Sequence, residues 1–264
     1  IYLGYSASYT QQFFSWAFAK TNGFGLWIWP EVEKLFPYQW ENKWEDLLFS
    51  HKLLCNTALL FSSPTKNLKK DSYYSIYEYA GWAESLTEAH IPFETIIASG
   101  LVRENLRKYK KIILPDVACL SGSQIEILKD YVKGGGHLII TGSSSLYDET
   151  CGRRKDFGLA EIMGLSFSEF IPSVDSLSMI YGELNDVTGG NLFYNGSGIL
   201  VDKVKDDIMV LSRIKKTGSP AITLSKYGEG DVIYVAFKPG TMYYMPKIGG
   251  GRMGEGGSWN DIRI

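Results

Sequence analysis

From Thr57 onward this sequence predicts an α/β fold built on a doubly wound, mostly parallel sheet. Three observations lead there. Short apolar runs alternate with longer stretches of helical periodicity. The runs are stopped by Pro or Gly, and the connections between them are short. Such alternation argues for an open, mostly parallel sheet with helices on both faces, and a strand-helix-strand unit with short connections for two neighbouring parallel strands joined by a right-handed crossover.

The clearest unit spans residues 110–148. Residues 110–114 form an apolar run that ends at Pro115, as a buried parallel strand would. Ser121 is a candidate helix N-cap, and Gln124 three residues later completes a capping box. Ile125, Leu128 and Val132 then recur on one helix face. Gly134, Gly135 and Gly136 stop that helix, and His137–Thr141 is the next strand. Gly142, Ser143, Ser144 and Ser145 follow as an exposed polar loop at the carboxyl edge of the sheet, where such folds place ligands.

Upstream, Thr57–Phe61 is a strand, residues 62–64 a turn, and residues 73–89 a long helix. Its expected apolar stripe is Ile76, Tyr79, Ala80, Ala83 and Leu86. Residues 92–97 form a second strand, and residues 101–109 a short helix or turn. Downstream, residues 157–163 read as a short helix ended by Gly164. Residues 165–220 hold short candidate strands at 199–201 and 208–214, between Gly, Asn and Asp clusters. Residues 221–226 and 231–237 flank Tyr227-Gly228-Glu229-Gly230, the signature of a C-terminal β-hairpin.

The first 55 residues differ. Trp16, Trp27, Trp29, Trp40 and Trp44 fall there, five of the seven tryptophans in the chain, so a boundary is expected near residue 55. Residues 9–20 read as a helix, 24–29 as a strand and 40–52 as a helix. That piece is part of something larger, such as the end of a β/α barrel. Residues 249–264 are glycine-rich and polar and read as loop. The chain starts at Ile1 without methionine, so a longer native protein is expected.

Composition narrows the function. The 264 residues carry a net charge of -2 and a pI near 6.0, which disfavours nucleic acid as a partner. No run reaches the ~18–20 apolar residues that span a bilayer, so no membrane partner is expected. Cys55, Cys119 and Cys151 are widely spaced, without a CxxC pair. No structural metal and no disulfide framework are therefore expected, and no cofactor. The compartment stays open, with the cytoplasm favoured.

Several enzymatic readings compete with structural ones. Ser143, on the turn after the strand, could be a hydrolase nucleophile, but no histidine follows His137. The Gly134–136 run lies between helix and strand, the wrong place for a dinucleotide fingerprint. Glycoside hydrolysis needs two carboxylates at one sugar ring. Asp148-Glu149, Glu31 with Glu33, and Asp206-Asp207 are sequence-local acids, a pattern common on solvated surfaces. Trp27 and Trp29 are two apart and share one strand face, which would line a sugar pocket or pack a core. Asp148, Arg153 and Arg154 lie in a charged loop just past the ligand edge. The arginines could clamp an anion, form a subunit interface or be solvated.

The blocks YYSIYEYAGWAESLTEAHIPFETI (73–96), LRKYKKIILPDVACLSGSQIEILKDYVKGGGHLIITG (106–142), SLYDETCGRRKDFGLAEIMG (145–164) and PAITLSKYGEGDVIYVAF (220–237) occur in that order. Together they resemble the middle domain of family 42 glycoside hydrolases, the β-galactosidase trimerisation domain. The resemblance runs from about residue 56 to 237. It implies a flavodoxin-like, class I glutamine amidotransferase-like fold that is generally non-catalytic. Residues 1–55 are similar to the end of that family's preceding barrel, residues 13–29 to its seventh helix and eighth strand. The resemblance thus implies three parts: 1–55 the barrel end, 56–240 the trimerisation domain, 241–264 the tail. In the family the catalytic acid is a glutamate after asparagine on the fourth strand, and the nucleophile a glutamate on the seventh. No Asn-Glu dipeptide occurs in this chain, and Gly142-Ser143 stand where an amidotransferase would carry its cysteine.

The implied role is assembly and the walling of a carbohydrate site in a glycoside hydrolase. A homo-oligomer such as a trimer is the expected partner state, carbohydrate the expected substrate, and Trp27 and Trp29 the sugar-facing candidates. The alternatives are an enzyme in its own right, through Ser143 or as a glycosidase completed by further chain, and a stand-alone sugar-binding domain.

Overall fold

The computed structural model describes residues 2–4, 13–14, 16–17, 26–28, 42–44, 54–69, 72–179, 191–194 and 196–245. The chain divides into two compact units, residues 1–54 and 55–264. In the first, strands β1 (Tyr2–Gly4) and β2 (Leu26–Ile28) pair in parallel, with Leu3 opposite Trp27. Residues 13–14, 16–17 and 42–43 are helical, in line with the two expected helices. Trp16 is buried, its ring 5.7 Å from that of Phe13.

The second unit is organised by a nine-stranded sheet among the described residues. Its parallel half contains β3 (Thr57–Phe61), β4 (Phe93–Ile97), β5 (Lys111–Leu114) and β6 (His137–Thr141). The later strands are β7 (Leu165–Ile171), β8 (Asp175–Met179), β9 (Asn191–Tyr194), β10 (Gly198–Lys203), β11 (Met209–Ile214), β12 (Pro220–Tyr227) and β13 (Gly230–Val235). The spatial order is β4-β3-β5-β6-β13-β12-β11-β8-β9. Strands β4, β3, β5, β6 and β13 are mutually parallel. Counted in chain order they run 2-1-3-4-5, the doubly wound order whose switch point lies between the first and third strands. The hairpin β12–β13 turns at Gly228-Glu229, with Tyr227 opposite Gly230. It feeds β13 into the parallel half and lets β12, β11, β8 and β9 extend the sheet antiparallel. Strands β7 and β10 form a separate antiparallel pair.

The helices are α1 (Ser63–Leu68), α2 (Ser72–Glu88), α3 (Arg103–Leu106), α4 (Gly122–Lys133), α5 (Ala160–Met163) and α6 (Pro239–Tyr244). Both halves of the Ser121–Gln124 capping box on α4 are present. The period-2 alternation of the strands separates two cores. Ala58, Leu60, Ile112, Leu114, Leu138 and Ile140 face α4 and join Ile125, Leu128 and Val132. Leu59 and Ile113 face the other side, where Leu86, Tyr79, Trp82 and Ala83 of α2 cover them.

Three expectations need correction. Residues 62–64 are not a plain turn. Ser62 caps α1, accepting from the Thr65 amide at 3.2 Å. The buried stripe of α2 is rotated from the apolar one: Ser75, Glu78 and Gly81 are buried with Leu86, while Ile76, Tyr79, Ala80 and Ala83 are only half-buried. Here the helix faces a polar cluster and α6, so burial follows those partners rather than apolarity. Finally, Gly142–Ser145 is no exposed loop, since all four residues are buried. The expected loop at 249–264 lies outside the described residues.

Helices α2 and α6 approach closely because Gly81 and Gly240 meet backbone to backbone. A methyl group at Gly81 would collide with the Gly240 carbonyl. Gly81→Ala is therefore expected to destabilise the unit by about 1–3 kcal/mol, the range for overpacking. Gly100→Ala, with nothing within 4 Å of the new methyl, should leave stability within about 0.5 kcal/mol. Urea denaturation of the two variants tests this.

Candidate functional site

The switch point of a doubly wound sheet is where a ligand crevice is expected. Three segments meet there: the end of β3 leading into α1, the end of β5, and the end of β6. After β5 the chain passes Pro115 and sets Asp116 at φ +48°, a left-handed conformation uncommon outside glycine but tolerated by aspartate. After β6, Gly142 takes φ +57°. A side chain at Gly142 would also strike the Asp116 carboxylate, so glycine is needed there on both counts.

Asp116 is fully buried and accepts five hydrogen bonds. On Oδ1 it receives the Ser143 amide at 2.8 Å and the Ser143 hydroxyl at 2.7 Å. On Oδ2 it receives the Ser75 hydroxyl at 2.6 Å, Lys69 Nζ at 3.2 Å and Lys238 Nζ at 2.8 Å. The lysine side chains keep 13% and 16% of their surface, and the carboxylate keeps none. Burial alone would raise the carboxyl. The two ammonium groups and the hydroxyls outweigh it and hold Asp116 well below the usual carboxylate range.

A second buried carboxylate lies one step away. Glu78 Oε1 accepts from the Thr141 hydroxyl at 2.9 Å and Trp82 Nε1 at 3.0 Å. Its Oε2 accepts from the Thr241 amide at 2.7 Å and the Thr241 hydroxyl at 3.2 Å. The Thr141 hydroxyl in turn accepts from the Asp116 amide at 3.0 Å, which links the two acids. Burial pushes Glu78 up to about 7, against the pull of the Thr241 amide and Thr141 hydroxyl. The network thus ties α1, α2, β5, β6 and the segment entering α6 together.

Each serine after Gly142 is consumed structurally. Ser143 donates to Asp116 and accepts from Lys69 Nζ at 3.0 Å. Ser144 donates to the Thr141 carbonyl at 2.7 Å and accepts from the Val117 amide at 2.9 Å. Ser145 accepts from the Leu159 amide at 3.1 Å. No histidine reaches Ser143 among the described residues; His137 Nδ1 instead lies 3.3 Å from Asp231. The crevice left at the switch point, lined by Ser62, Thr65, Ser75 and Asp116, has a volume of about 20 Å³. That is room for one water, not for a sugar.

The other sequence candidates sit elsewhere. The Asp148 carboxylate closes its own loop, accepting from the Thr150 hydroxyl at 2.7 Å and the Gly152 amide at 2.8 Å, and these bonds hold its pKa down. Arg154 binds three backbone carbonyls, those of Ser145, Tyr147 and, at 2.8 Å, Leu120. Arg153 is exposed and lies over the Phe167 and Phe170 rings, 4.7 and 5.5 Å from their centroids. Trp27 lies in β2, in the other unit, and Trp29 lies outside the described residues. No group of three metal-ligating side chains occurs among the described residues. No helix in them is long and apolar enough to cross a membrane.

The sequence reading passed over Lys69, Ser75, Glu78, Asp116 and Lys238. One signal was available: Asp116 directly follows a strand-ending proline at the carboxyl edge of the sheet. The others are far apart in the chain and meet only through the crossovers.

Comparison with known proteins agrees with this architecture. Residues 56–245 match the family described as β-galactosidase trimerisation domain. The chain belongs to that family. β-Galactosidase BgaB of Geobacillus sp. (strain Y412MC61) is 26% identical over 222 residues, covering 81% of this chain and 29% of that protein. The chain thus spans under a third of the length of this curated relative. The crystal structure of β-galactosidase from Bacillus circulans sp. alkalophilus superposes with a TM-score of 0.61 at 17% identity, covering 79% of this chain and 33% of that one. A putative ThuA-like protein from Bacteroides uniformis shares the fold at a TM-score of 0.54 and 11% identity, covering 72% of this chain and 85% of that one. As a member of a trimerisation-domain family with β-galactosidase relatives, the chain is a glycoside hydrolase-associated domain.

Two outcomes test the network. Asp116→Asn keeps the tolerated backbone but leaves two lysines without their counter-charge, and should cost about 3–5 kcal/mol in urea unfolding. Glu78 has its folded pKa raised from 4.5 to about 7. Between those values the folded state holds a proton that the unfolded chain has released, so the contribution of Glu78 to stability falls as pH rises through that window. The fall is about 3 kcal/mol at roughly 1.4 kcal/mol per unit. Glu78→Gln should remove that pH slope and instead cost about 1–3 kcal/mol at every pH, for the donor left facing its amide. Urea midpoints at pH 5 and pH 8 decide it.

Proposed function

We propose that this chain is the non-catalytic assembly part of a β-galactosidase-like glycoside hydrolase. In this reading residues 56–240 form an amidotransferase-like trimerisation domain that holds subunits together and helps wall a carbohydrate site. Residues 1–55 are the end of a glycosidase-type β/α barrel, with Trp27 and Trp29 on its sugar-facing side, and residues 241–264 are a glycine-rich tail. The charged loop with Asp148, Arg153 and Arg154 lies at or near the subunit interface.

One observation carries the non-catalytic reading: the switch-point crevice is closed to about the size of one water. A nucleophile at Ser143 needs a base to take its proton. Its hydroxyl instead donates to a carboxylate held ionised by two lysines, and its oxygen accepts from one of them. A buried carboxylate so firmly ionised is a poor proton acceptor at neutral pH. The assembly reading draws on the family's description and on the exposed Arg153–Phe170 surface.

Light scattering on the purified chain is the test. A trimer or another closed oligomer is the expected result, and Arg153→Glu should shift the mass towards monomer. A monomer at tens of micromolar would overturn the assembly role. The chain alone should not hydrolyse an aryl β-galactoside. Activity that Ser143→Ala abolishes would overturn the non-catalytic role.

A further inference from the structure

Cys119 and Cys151 are distant in sequence and brought together by the segment that follows the switch point. Tyr147 bridges both strands of this arrangement, pairing with Cys119 on one side and Arg153 on the other. The Leu120 amide donates to the Tyr147 carbonyl at 3.1 Å, and the Tyr147 amide donates to Ala118 at 3.0 Å. The Asp148–Gly152 loop then folds back, with the Asp148 amide on the Gly152 carbonyl at 2.8 Å and the Cys151 amide on the Asp148 carbonyl at 3.0 Å. That fold-back brings Cys151 near enough to Cys119 for each thiol to feel the other. Both are free. Cys119 is buried, and Cys151 is half-buried in the left-handed region at φ +68°.

Neither thiol has a part in the polar network. Cys119 is anchored through its backbone: its carbonyl accepts from Ser62 at 2.9 Å and its amide donates to Thr65 at 2.9 Å. Arg154 clamps the same region through Leu120 and Tyr147. A rigid buried thiol facing a more accessible one on a short loop is the arrangement of an attacking and a resolving cysteine.

We propose that Cys119 and Cys151 are a reversible thiol pair that closes to an intrachain disulfide under a peroxide or a small-molecule disulfide. With a peroxide, the half-exposed Cys151 thiolate attacks one peroxide oxygen, and the O–O bond breaks. Cys151 becomes a sulfenic acid, and the released oxygen leaves as water after taking a proton. The Cys119 sulfur then attacks Cys151 sulfur. The S–S bond forms, the S–O bond breaks, and a second water leaves with the Cys119 proton. The two sulfurs lose two electrons and the peroxide gains them. Burial first, and the neighbouring Cys151 second, push Cys119 up to about 12. Cys119 is buried and Cys151 only half-buried, so Cys151 is the thiol that a peroxide reaches first. The closed bond would staple the Asp148–Gly152 loop to the segment that follows Asp116.

The test uses the whole chain, reduced, desalted and treated with a small excess of hydrogen peroxide, or of 4,4′-dithiodipyridine in a parallel arm. Of the three thiols, only Cys55 should remain open to alkylation, with an intact mass lower by two hydrogens. Peptide mapping should recover a Cys119–Cys151 cross-link, and dithiothreitol should restore all three thiols. The melting temperature should rise by several degrees on oxidation and fall back on reduction, as expected for closing a loop of this length. Cys55→Ser should leave the cross-link intact and Cys151→Ser should abolish it. Three thiols still open after oxidation would overturn the proposal. So would Cys151 recovered as a sulfinic acid or in an intermolecular disulfide with Cys119 free.

Discussion

A carboxylate with no solvent cannot stay ionised in a protein interior unless its charge and lone pairs are met, and Asp116 meets that demand with groups from four parts of the chain. Lys69 follows α1, Ser75 belongs to α2, Ser143 follows β6, and Lys238 precedes α6. Desolvation of such a group costs several kcal/mol, repaid only when the geometry is complete. Each element is therefore held where its donor is needed. Thr141 passes the constraint to Glu78, and Glu78 passes it to the start of α6 through both the amide and the hydroxyl of Thr241. The close Gly81–Gly240 approach is the packing counterpart of that polar link.

The consequence is that the ligand edge of the sheet is used as a joint. In a doubly wound fold the switch point leaves a crevice because the crossovers on its two sides run to opposite faces. Here α1 and the start of α2 close it to about 20 Å³. The surfaces left for interaction lie elsewhere, among them the loop whose Arg153 rests on Phe167 and Phe170.

The parallel strands were legible in the sequence to within two residues, because a strand buried on both faces is a continuous apolar run bounded by Pro, Gly or charge. The α4 start was legible because its capping box is a local pattern, Ser121 and Gln124 three apart. Strands β7, β8 and β9 were not: β7 is exposed along residues 168–170, so its alternation is broken. The short α1 was missed because Pro64 reads as a turn residue until Ser62 is seen capping the first turn.

The sequence by itself determined the α/β class, where the parallel strands fall along the chain, and the resemblance to a family. Those rest on local periodicity, local caps and the order of blocks along the chain. Only the tertiary structure decided what the carboxyl edge does. The sequence shows a small polar loop, Gly142 to Ser145, that suits an open site as well as a buried joint. Whether its hydroxyls face solvent or a carboxylate depends on Lys69, Glu78, Asp116 and Lys238 converging from distant parts of the chain. No local pattern encodes that convergence, because it is set by the crossovers and by the cost of leaving any one of those buried groups unpaired.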